Sequence, residues 1–292
     1  TQTCEHRDRT FPNSWRNIKL IILILKETYK MCVYYQMERT TVVITGSTRG
    51  FGRSLAEEFL DRGHQVIVCS KNKDSVHQAL INLKPKYHEN VHLMVADVAN
   101  YDDCVRVKDF AIDHCGSIDI LVNNAATNAY ARKNYLEFDP TDIHSIVGTN
   151  LVGMMNCCHV IMPHMMSHGK GTIINVEGAG SENNETKGYA VYGATKSAVT
   201  QFTKTLRSEY QDNNIHLCLI SPGMMITELL CTDMTPELEF AVHLFGEDPS
   251  VISEWITPKI LDIDSHQTIR YLTWIKIIKK TIHAFILYFR SG

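Results

Sequence analysis

The sequence predicts an α/β fold in which helices cover both faces of a doubly wound parallel sheet of six to seven strands, giving three layers. From residue 41 onward, short runs rich in β-branched residues alternate with longer segments whose apolar residues recur at helical spacing. Most of the short runs are apolar almost throughout, which is typical of strands buried on both faces. The 292 residues, 44% of them hydrophobic, are enough for one such domain with short terminal extensions.

Each predicted strand is one of these apolar runs. Strands are expected at residues 41–45, 65–70, 91–96, 118–122, 171–176 and 215–220, and residues 268–273 are a candidate for a seventh. After the first run, Leu55, Ala56, Phe59 and Leu60 share one helical face and Gly63 suits a C-cap, which predicts a helix over 53–62. The same pattern predicts helices near 74–83, 101–114, 141–168 and 190–211.

Composition and charge exclude several classes of function. Lysine and arginine number 29 against 32 acidic residues, so the net charge of −3 leaves no global positive field for nucleic acid. The nine cysteines are scattered, with no Cys-x-x-Cys pair and no histidine cluster at zinc spacing, which favours reduced thiols over disulfides or a metal site. The apolar run at residues 18–25 is shorter than the ~20 residues that cross a bilayer, so it is not predicted to span one.

The segment after the first predicted strand is rich in glycine. Residues 45–52 read Thr-Gly-Ser-Thr-Arg-Gly-Phe-Gly, directly between a strand and a helix. The first glycine allows a sharp turn, the other two permit close backbone approach to a ligand, and the helix N-terminus offers N–H groups to a pyrophosphate. This context predicts a dinucleotide site. Its residues here are Gly46, Ser47, Arg49, Gly50, Phe51 and Gly52.

The end of the second strand indicates which dinucleotide is bound. NAD-binding proteins usually place an acidic residue there for the ribose 2′-hydroxyl, but this chain has Ser70 and Lys71. Lys71 and Arg49 offer positive charge to a 2′-phosphate, which favours NADP(H), although a solvated basic rim gives the same pattern. Asp97, beside Val98 after the third strand, either accepts a hydrogen bond from an adenine amino group or caps a turn.

Tyr192 and Lys196 stand four residues apart and therefore share one face of a predicted helix. A lysine ammonium at this spacing can lower the pKa of the phenol, so that Tyr192 exchanges a proton with a substrate oxygen near neutral pH. The same spacing arises by chance on solvated helices, so it indicates chemistry only together with the polar motifs at the strand ends.

Those motifs are Asn123-Asn124-Ala125-Ala126 after the fourth strand, Asn150 in the long helix, and Ser-Pro-Gly at 221–223 with Thr227. With the glycine-rich segment and the Tyr192/Lys196 pair, they resemble the short-chain dehydrogenase/reductase family in order and spacing over roughly residues 41–230. The resemblance implies a Rossmann-type fold, with Tyr192 as general acid, Lys196 also binding the nicotinamide ribose, and Asn150 holding a water in the proton relay. It implies that Asn123 supports the sheet and that further cofactor contacts come from Asn124, Ala125, Pro222, Gly223 and Thr227.

The chain departs from that family at one catalytic position. Thirteen residues before Tyr192, where the family carries a serine, stands Ala179. The nearest hydroxyl is that of Ser181, which either replaces the serine as donor to the substrate carbonyl or is only a loop residue. A chain without that donor would be a weakened or non-catalytic relative.

A narrower resemblance supports Ser181 as the donor. Residues 44–50, 175–181, 190–196, 221–230 and 268–273 are similar to the chlorophyll b reductases of plants and algae, which share the Gly-Ala-Gly-Ser run ending at Ser181. Glu177, where that subgroup is expected to have Asp, and Ala126, where Gly is commoner, are departures. The resemblance implies NADPH-dependent reduction of the 7-formyl group of chlorophyll b, with Tyr192 protonating the oxygen.

The resemblance and the change of pattern after residue 222 divide the chain into four segments. Residues 1–40 form an N-terminal extension, 41–230 the NADP-binding catalytic core, 231–273 the substrate loop and final strand, and 274–292 a basic amphipathic helix. This last helix either docks on the core or faces a membrane surface or a partner.

Three functions remain open at this point. The first is chlorophyll b reduction in a plastid, at the thylakoid surface; the second is reduction of another bulky or small carbonyl compound, with a cytoplasmic location; the third is a non-catalytic NADP-binding scaffold. A homo-oligomer, or a hetero-oligomer with a related reductase, is implied by the family resemblance alone.

Overall fold

Within the described residues, seven parallel strands form one sheet. They are β1 (Thr41–Thr45), β2 (Gln65–Ser70), β3 (Val91–Val95), β4 (Ile120–Asn123), β5 (Gly171–Val176), β6 (Ile215–Ser221) and β7 (Thr268–Arg270), in the order β3-β2-β1-β4-β5-β6-β7. Every neighbouring pair is parallel. The sheet reverses its direction of growth between β1 and β4, which opens a crevice at the carboxyl ends of these two strands.

The computed structural model describes residues 39–129, 132–182, 185–231 and 234–290. The chain divides into two units, Thr1–Arg39 and Thr40–Gly292. The predicted N-terminal extension lies outside the described residues except for its last two, and everything below concerns the second unit.

Helices cover both faces of the sheet, as predicted. They are α1 (Gly50–Asp61), α2 (Lys73–Tyr87), α3 (Tyr101–Cys115), α4 (Pro140–Val147), α5 (Gly153–Ser167), α6 (Ala190–Glu209), α7 (Glu228–Cys231), α8 (Pro236–Phe245), α9 (Pro249–Leu261) and α10 (Trp274–Arg290). A π-helical turn, Gly148–Val152, joins α4 to α5 without a break.

Successive residues of a strand contribute to opposite layers of the core. In β1, Val42 and Ile44 pack with α1, α2 and α9 on one face, whereas Val43 packs with α3, α5 and α6 on the other. Because both faces are buried, each strand is apolar along its whole length, which is the pattern that predicted it. The three-layer, doubly wound fold is therefore confirmed.

The long helical stretch Pro140–Ser167 is apolar and long enough to cross a bilayer by length and composition alone. More than half of that stretch is buried inside the fold, however. Met154, Ile161 and Met165 pack into the core layer beneath the sheet. We therefore interpret it as a core helix.

Some predicted boundaries differ from the observed ones. β4 begins two residues later than expected, and β7 ends at Arg270 because the chain turns away after that residue. Helices α8 and α9 were not predicted, since the regular alternation stops after residue 222. Their start signals are nevertheless present in the sequence: Thr235-Pro236 and Asp248-Pro249 each place a capping side chain before a proline in the first turn.

Helix α10 is docked with Lys276 and Lys280 toward the core. The Lys276 ammonium lies 3.4 Å from the centroid of the Tyr271 ring and 4.4 Å from that of Trp255. Lys280 forms a 2.6 Å ion pair with Glu247. The apolar residues point outward instead: Trp274 is 80% exposed and Ile275 67%, and Ile278 and Ile282 are also exposed. The helix is amphipathic, as predicted, but its described apolar stripe does not pack on the core.

Candidate active site

A cleft of about 860 Å³ lies at the carboxyl edge of the sheet, where the strand order reverses. Loops after β1 to β6 and the first turns of α6 contribute to its walls. Fourteen of the predicted site residues line it: Gly46, Arg49, Gly50, Phe51, Gly52, Ser70, Lys71, Asp97, Val98, Asn124, Ala125, Tyr192, Lys196 and Thr227. Five others do not line it: Ser47, Asn150, Ser181, Pro222 and Gly223.

The glycine-rich loop is held against the end of β4. The Asn124 side-chain amide donates to the carbonyls of Thr45, at 2.8 Å, and Gly46, at 3.1 Å. A Cβ atom at Gly46 would lie 2.8 Å from Ala125 Cα, and one at Gly52 would lie 2.3 Å from Asn124 Nδ2. Side chains are thus excluded at both positions.

Helix α1 opens into the cleft without a side-chain cap at its N-terminus. Its neighbours α2 and α3 are instead capped by Asn72 and Asn100. Uncapped N–H groups at a helix N-terminus, behind a loop that excludes side chains, are suited to hold a pyrophosphate. The site therefore fits a dinucleotide.

Ser47 has a structural role that the motif did not indicate. It is completely buried, its hydroxyl donates to the Ile44 carbonyl, and the hydroxyl oxygen accepts from the Cys69 amide at 3.1 Å. The Ser47 side chain thus joins β1 to β2, and its contact with the cofactor stays a prediction.

The rim near the end of β2 carries hydroxyls and positive charge. Ser70, Lys71 and Ser75 line it, and the Thr48 hydroxyl donates to that of Ser75 at 3.1 Å. Arg49 reaches across the cleft to Glu228, with 2.7 Å between Nη1 and Oε2. Within the described residues, no carboxylate lines the cleft at the end of β2 itself.

Asp97 lines the cleft, but one of its oxygens is engaged in a turn. Oδ1 accepts from the Ala99 amide at 3.0 Å, which is the turn role left open by the sequence. Val98 lies beside it and is buried. Asp97 thus keeps one carboxylate oxygen available toward the cleft.

Tyr192 and Lys196 lie together on α6 at the inner end of the cleft. The Lys196 ammonium lies 5.8 Å from the centroid of the Tyr192 ring and donates to the Val176 carbonyl at 2.9 Å. Lys196 is 3% exposed, and its burial lowers the pKa of its ammonium to about 8, an effect that the Glu177 carboxylate opposes.

The phenol of Tyr192 has a raised pKa in this structure. Burial raises the pKa of Tyr192, and Tyr189 adds to this effect. The neutral, protonated phenol that results is the form required of a proton donor. The lowering by Lys196 stays a prediction.

Asn150 organises the site from outside the cleft. It lies in the π-helical turn and is 2% exposed. Its side chain accepts from the Thr127 amide at 2.8 Å and donates to the Thr127 carbonyl at 2.9 Å and to the Thr195 hydroxyl at 3.2 Å. It therefore ties the loop after β4 to the helix that carries Tyr192.

The residues at the ends of β4 and β6 have different roles: some support the sheet or pack outside the cleft, and others line the cleft. The first asparagine after β4, Asn123, supports the sheet by donating to Asn175 on β5 at 2.8 Å. After β6, Gly223 packs against Leu272 with a φ of +80° and lies outside the cleft. Thr227 does line the cleft and lies against Gly50.

Ser181 is bound within its own loop. Its hydroxyl oxygen accepts from the Gly178 amide at 3.1 Å, and the hydroxyl donates to the Lys196 carbonyl at 3.2 Å. In this geometry the single hydroxyl proton is directed at the Lys196 carbonyl. The role of Ser181 as the replacement donor to the substrate stays a prediction.

Sequence reasoning missed several residues that line the cleft. Thr48 and Ser75 stand on the rim, and Asp142 and Ser145 come from α4. Thr48 lies inside the glycine-rich segment, so the sequence could have indicated that it lines the cleft. Asp142 and Ser145 gave none, because only tertiary packing brings α4 to this edge.

A family model for short chain dehydrogenases matches residues 40–237. The chain belongs to the short-chain dehydrogenase family. It is 37% identical over 246 residues to the chloroplastic chlorophyll(ide) b reductase NOL of Oryza sativa subsp. japonica, covering 80% of this chain and 72% of that protein. It is 34% identical over 271 residues to the probable chlorophyll(ide) b reductase NYC1, chloroplastic, of Arabidopsis thaliana, covering 87% of this chain and 54% of that protein.

A solved structure of the family shares the fold. The 3-ketoacyl-(acyl-carrier-protein) reductase from Brucella melitensis, complexed with NADH, superposes with a TM-score of 0.71 at 23% identity, covering 80% of this chain and 97% of that one. As a short-chain dehydrogenase, the protein is an oxidoreductase with a fold that binds a nicotinamide dinucleotide, and the cleft described above is the candidate site for it.

The loop role of Ser181 predicts how its loss affects this short-chain dehydrogenase. Ser181→Ala should lower the free energy of unfolding by about 1–3 kcal/mol, because the Gly178 amide and Lys196 carbonyl lose their partner. The turnover rate should fall only as far as the loop is disturbed. Urea unfolding and turnover are measured on the same samples, with Ser167→Ala, an exposed serine on α5, as the control.

A direct donor to the substrate would behave differently. Turnover would then drop by on the order of 10² to 10³ with the unfolding free energy unchanged. That result would show that Ser181 replaces the family's catalytic serine, whose position is occupied here by Ala179.

Proposed function

We propose that this protein is an NADPH-dependent reductase that converts the 7-formyl group of chlorophyll b or chlorophyllide b to a hydroxymethyl group. The observation that carries the proposal is its identity of 34–37%, over most of the chain, to chlorophyll(ide) b reductases, together with a Tyr192/Lys196 pair at the inner end of the cleft. Both of those relatives are chloroplastic, which supports a plastid location for this chain.

The residues at the inner end of the cleft suit reduction of an aldehyde. Bound NADPH supplies the hydride for the aldehyde carbon. Tyr192, kept neutral by burial, donates the proton that the aldehyde oxygen needs to become a hydroxyl. Lys196 provides the buried positive charge that stabilises the phenolate left behind.

The mouth of the cleft suits a large apolar substrate. Met225, Ile226 and Leu229, from the segment that follows β6, line it opposite the β4 loop. Methionine and leucine side chains adapt to flat ligands because they have several rotatable bonds. This segment continues into α7 and then to α8, which lies in the predicted substrate loop, residues 231–273.

The rim chemistry supports NADPH over NADH. At the end of β2, NAD-binding proteins usually have a carboxylate that accepts from the ribose 2′-hydroxyl, whereas here the Lys71 ammonium lines the cleft. A 2′-phosphate is matched by a lysine ammonium and hydroxyl groups. Arg49 lies at the same rim and, in this structure, pairs with Glu228.

The pigment reaction is tested with purified protein, NADPH and chlorophyllide b or detergent-dispersed chlorophyll b, followed by chromatography for the 7-hydroxymethyl product. Tyr192→Phe should lower turnover by on the order of 10² to 10⁴ without weakening NADPH binding, because only the proton donor is removed. Tyr210→Phe, at the end of the same helix, is the matched control.

Two results would contradict the proposal. Product formation that survives Tyr192→Phe would exclude Tyr192 as the donor. Untouched pigment in the presence of bound NADPH would leave reduction of another carbonyl compound, or an NADP-binding scaffold without catalysis.

The choice of cofactor depends on Lys71. Lys71→Asp should raise the Michaelis constant for NADPH by about ten- to a hundred-fold, because a charge-assisted contact with the 2′-phosphate is replaced by repulsion. The Michaelis constant for NADH should change little. Lys204→Asp, which makes the same charge change away from the cleft, is the control, and an equal loss for both cofactors would refute the rim assignment.

We further propose peripheral binding to a pigment-bearing membrane through α10. Its outward side carries Trp274, Ile275, Ile278 and Ile282 with the exposed Lys279. The sequence of α10 contains three lysines and an arginine but no acidic residue. An apolar stripe flanked by positive charge suits an anionic lipid surface. Helix α8, next to the cleft segment, packs against α10, so membrane binding would bring the substrate loop to the surface.

Vesicle sedimentation tests the membrane proposal. The protein should co-sediment with vesicles that contain an anionic lipid and less with zwitterionic ones. Replacing Ile275, Ile278 and Ile282 by serine should weaken binding by about tenfold or more, since their apolar area no longer leaves water. Leu80→Ser/Ile81→Ser removes exposed apolar side chains from α2 as a control. Binding that is unchanged in the α10 variant would exclude this helix as the anchor.

A further inference from the structure

A buried carboxylate lies next to the Tyr192/Lys196 pair and contributes to the lining of the same cleft. Glu177 follows β5, is 3% exposed, and donates its backbone amide to the Ile220 carbonyl on β6 at 2.8 Å. Its Oε1 accepts from the Thr200 hydroxyl at 3.0 Å. Its Oε2 is buried and has no hydrogen-bond partner among the residues that the structure describes. One oxygen is therefore fixed, and the other is left without a donor.

The same short segment also holds Lys196. The Lys196 ammonium donates to the carbonyl of Val176, the residue before Glu177, at 2.9 Å. Thr200, which holds Glu177, follows Lys196 by one turn of α6. The end of β5 thus contacts one face of α6 at two points. The Val176 carbonyl accepts from the Lys196 ammonium, and the Glu177 carboxylate accepts from the Thr200 hydroxyl.

A carboxylate oxygen buried without a donor is costly unless positive charge lies close by. Two cations of α6 interact with this carboxylate: Lys196 and, further along, Arg207. The other titratable groups around them are neutral near pH 7, because burial raises the pKa of Tyr192 and that of the Cys218 thiol on β6. Among the described residues, Glu177 is the acidic group that influences Lys196.

We propose that Glu177 is a positioning residue for catalysis: its buried carboxylate keeps the Lys196 side chain charged and held at the inner end of the cleft. This inference rests on the proposed reductase function, because it assigns Glu177 a role through Lys196. Glu177 itself does not touch the reacting atoms.

The physical reason is the balance of charge around Lys196. Burial alone favours the neutral amine, and the pKa of Lys196 is already lowered to about 8 with Glu177 opposing that effect. Without the carboxylate, the ammonium would lose its proton at a lower pH. A neutral amine can neither stabilise a phenolate on Tyr192 nor attract a ribose hydroxyl as strongly.

The direction of the pH effect follows from this. Activity requires charged Lys196, so it falls as the pH rises through the pKa of this group. Removing the Glu177 carboxylate lowers that pKa and moves the fall to lower pH. A loss of packing alone would instead reduce the rate by the same factor at every pH.

The test compares Glu177→Gln, which keeps the shape and removes the charge, with Glu177→Asp, which keeps the charge. Glu182→Gln, an exposed carboxylate of the same loop paired with Arg270, is the matched control. The titration of Lys196 is followed by NMR of ¹³Cε-labelled lysine and assigned with Lys196→Arg. NADPH affinity and the rate of chlorophyllide b reduction are measured against pH on the same proteins.

In Glu177→Gln we expect the titration midpoint of Lys196 to move down by about one pH unit or more, which is a tenfold change in the protonation equilibrium. The pH at which activity falls on the alkaline side should move down by the same amount. Glu177→Asp should keep the Lys196 midpoint close to that of the wild type, because it keeps the charge. Glu182→Gln should match the wild type. If Glu177→Gln does not fold, Thr200→Val takes its place, because loss of the hydroxyl releases the carboxylate and should give a downward shift as well.

An unchanged Lys196 midpoint in Glu177→Gln, or in Thr200→Val where that variant replaces it, would overturn the proposal. An equal loss of rate at every pH would also overturn it. The NMR titration and the NADPH affinity do not depend on the substrate. If the wild type leaves chlorophyllide b unreduced, the proposed function fails, while these two measurements still decide the role of Glu177.

Discussion

The site depends on burying one ammonium group, that of Lys196, between the end of β5 and the helix α6. A charge in such a place needs partners in the backbone or neighbouring side chains. Here the Val176 carbonyl accepts from the ammonium at 2.9 Å, and we propose that the Glu177 carboxylate also stabilises its charge. This constraint fixes how α6 docks on the sheet. It also fixes where Tyr192, one turn earlier on the same face, presents its phenol to the cleft.

The remaining features of the cleft follow from the topology of the sheet. Reversal of the strand order between β1 and β4 leaves a crevice, and the glycine-rich loop enters it because Gly46 and Gly52 lack side chains. Asn124 then ties this loop to the β4 end, while Asn150 ties the loop after β4 to α6. Side-chain amides that do not need to touch the substrate thus connect the glycine-rich loop, the loop after β4 and helix α6.

The sequence was sufficient for the fold and for most of the cleft, for a physical reason. Strands buried on both faces are apolar throughout, and site residues at strand ends are adjacent to recognisable motifs, so β1 to β6 and residues such as Gly46, Lys71 and Tyr192 were predictable. The hydrogen bonds of Ser47 to Ile44 and of Ser181 to Lys196 were not predictable, because a motif gives position but not the direction of a hydroxyl. The outward direction of the α10 apolar stripe depends on how Lys276 and Lys280 meet the core, which spacing alone does not specify.

We propose that this cleft transfers hydride from NADPH to the pigment aldehyde. The most direct measurement uses NADPH deuterated at both C4 positions and follows the mass of the 7-hydroxymethyl product. We expect one deuterium on the hydroxymethyl carbon and none elsewhere in the pigment. A product without deuterium, or labelled NADPH that is oxidised while the formyl group persists, would contradict it.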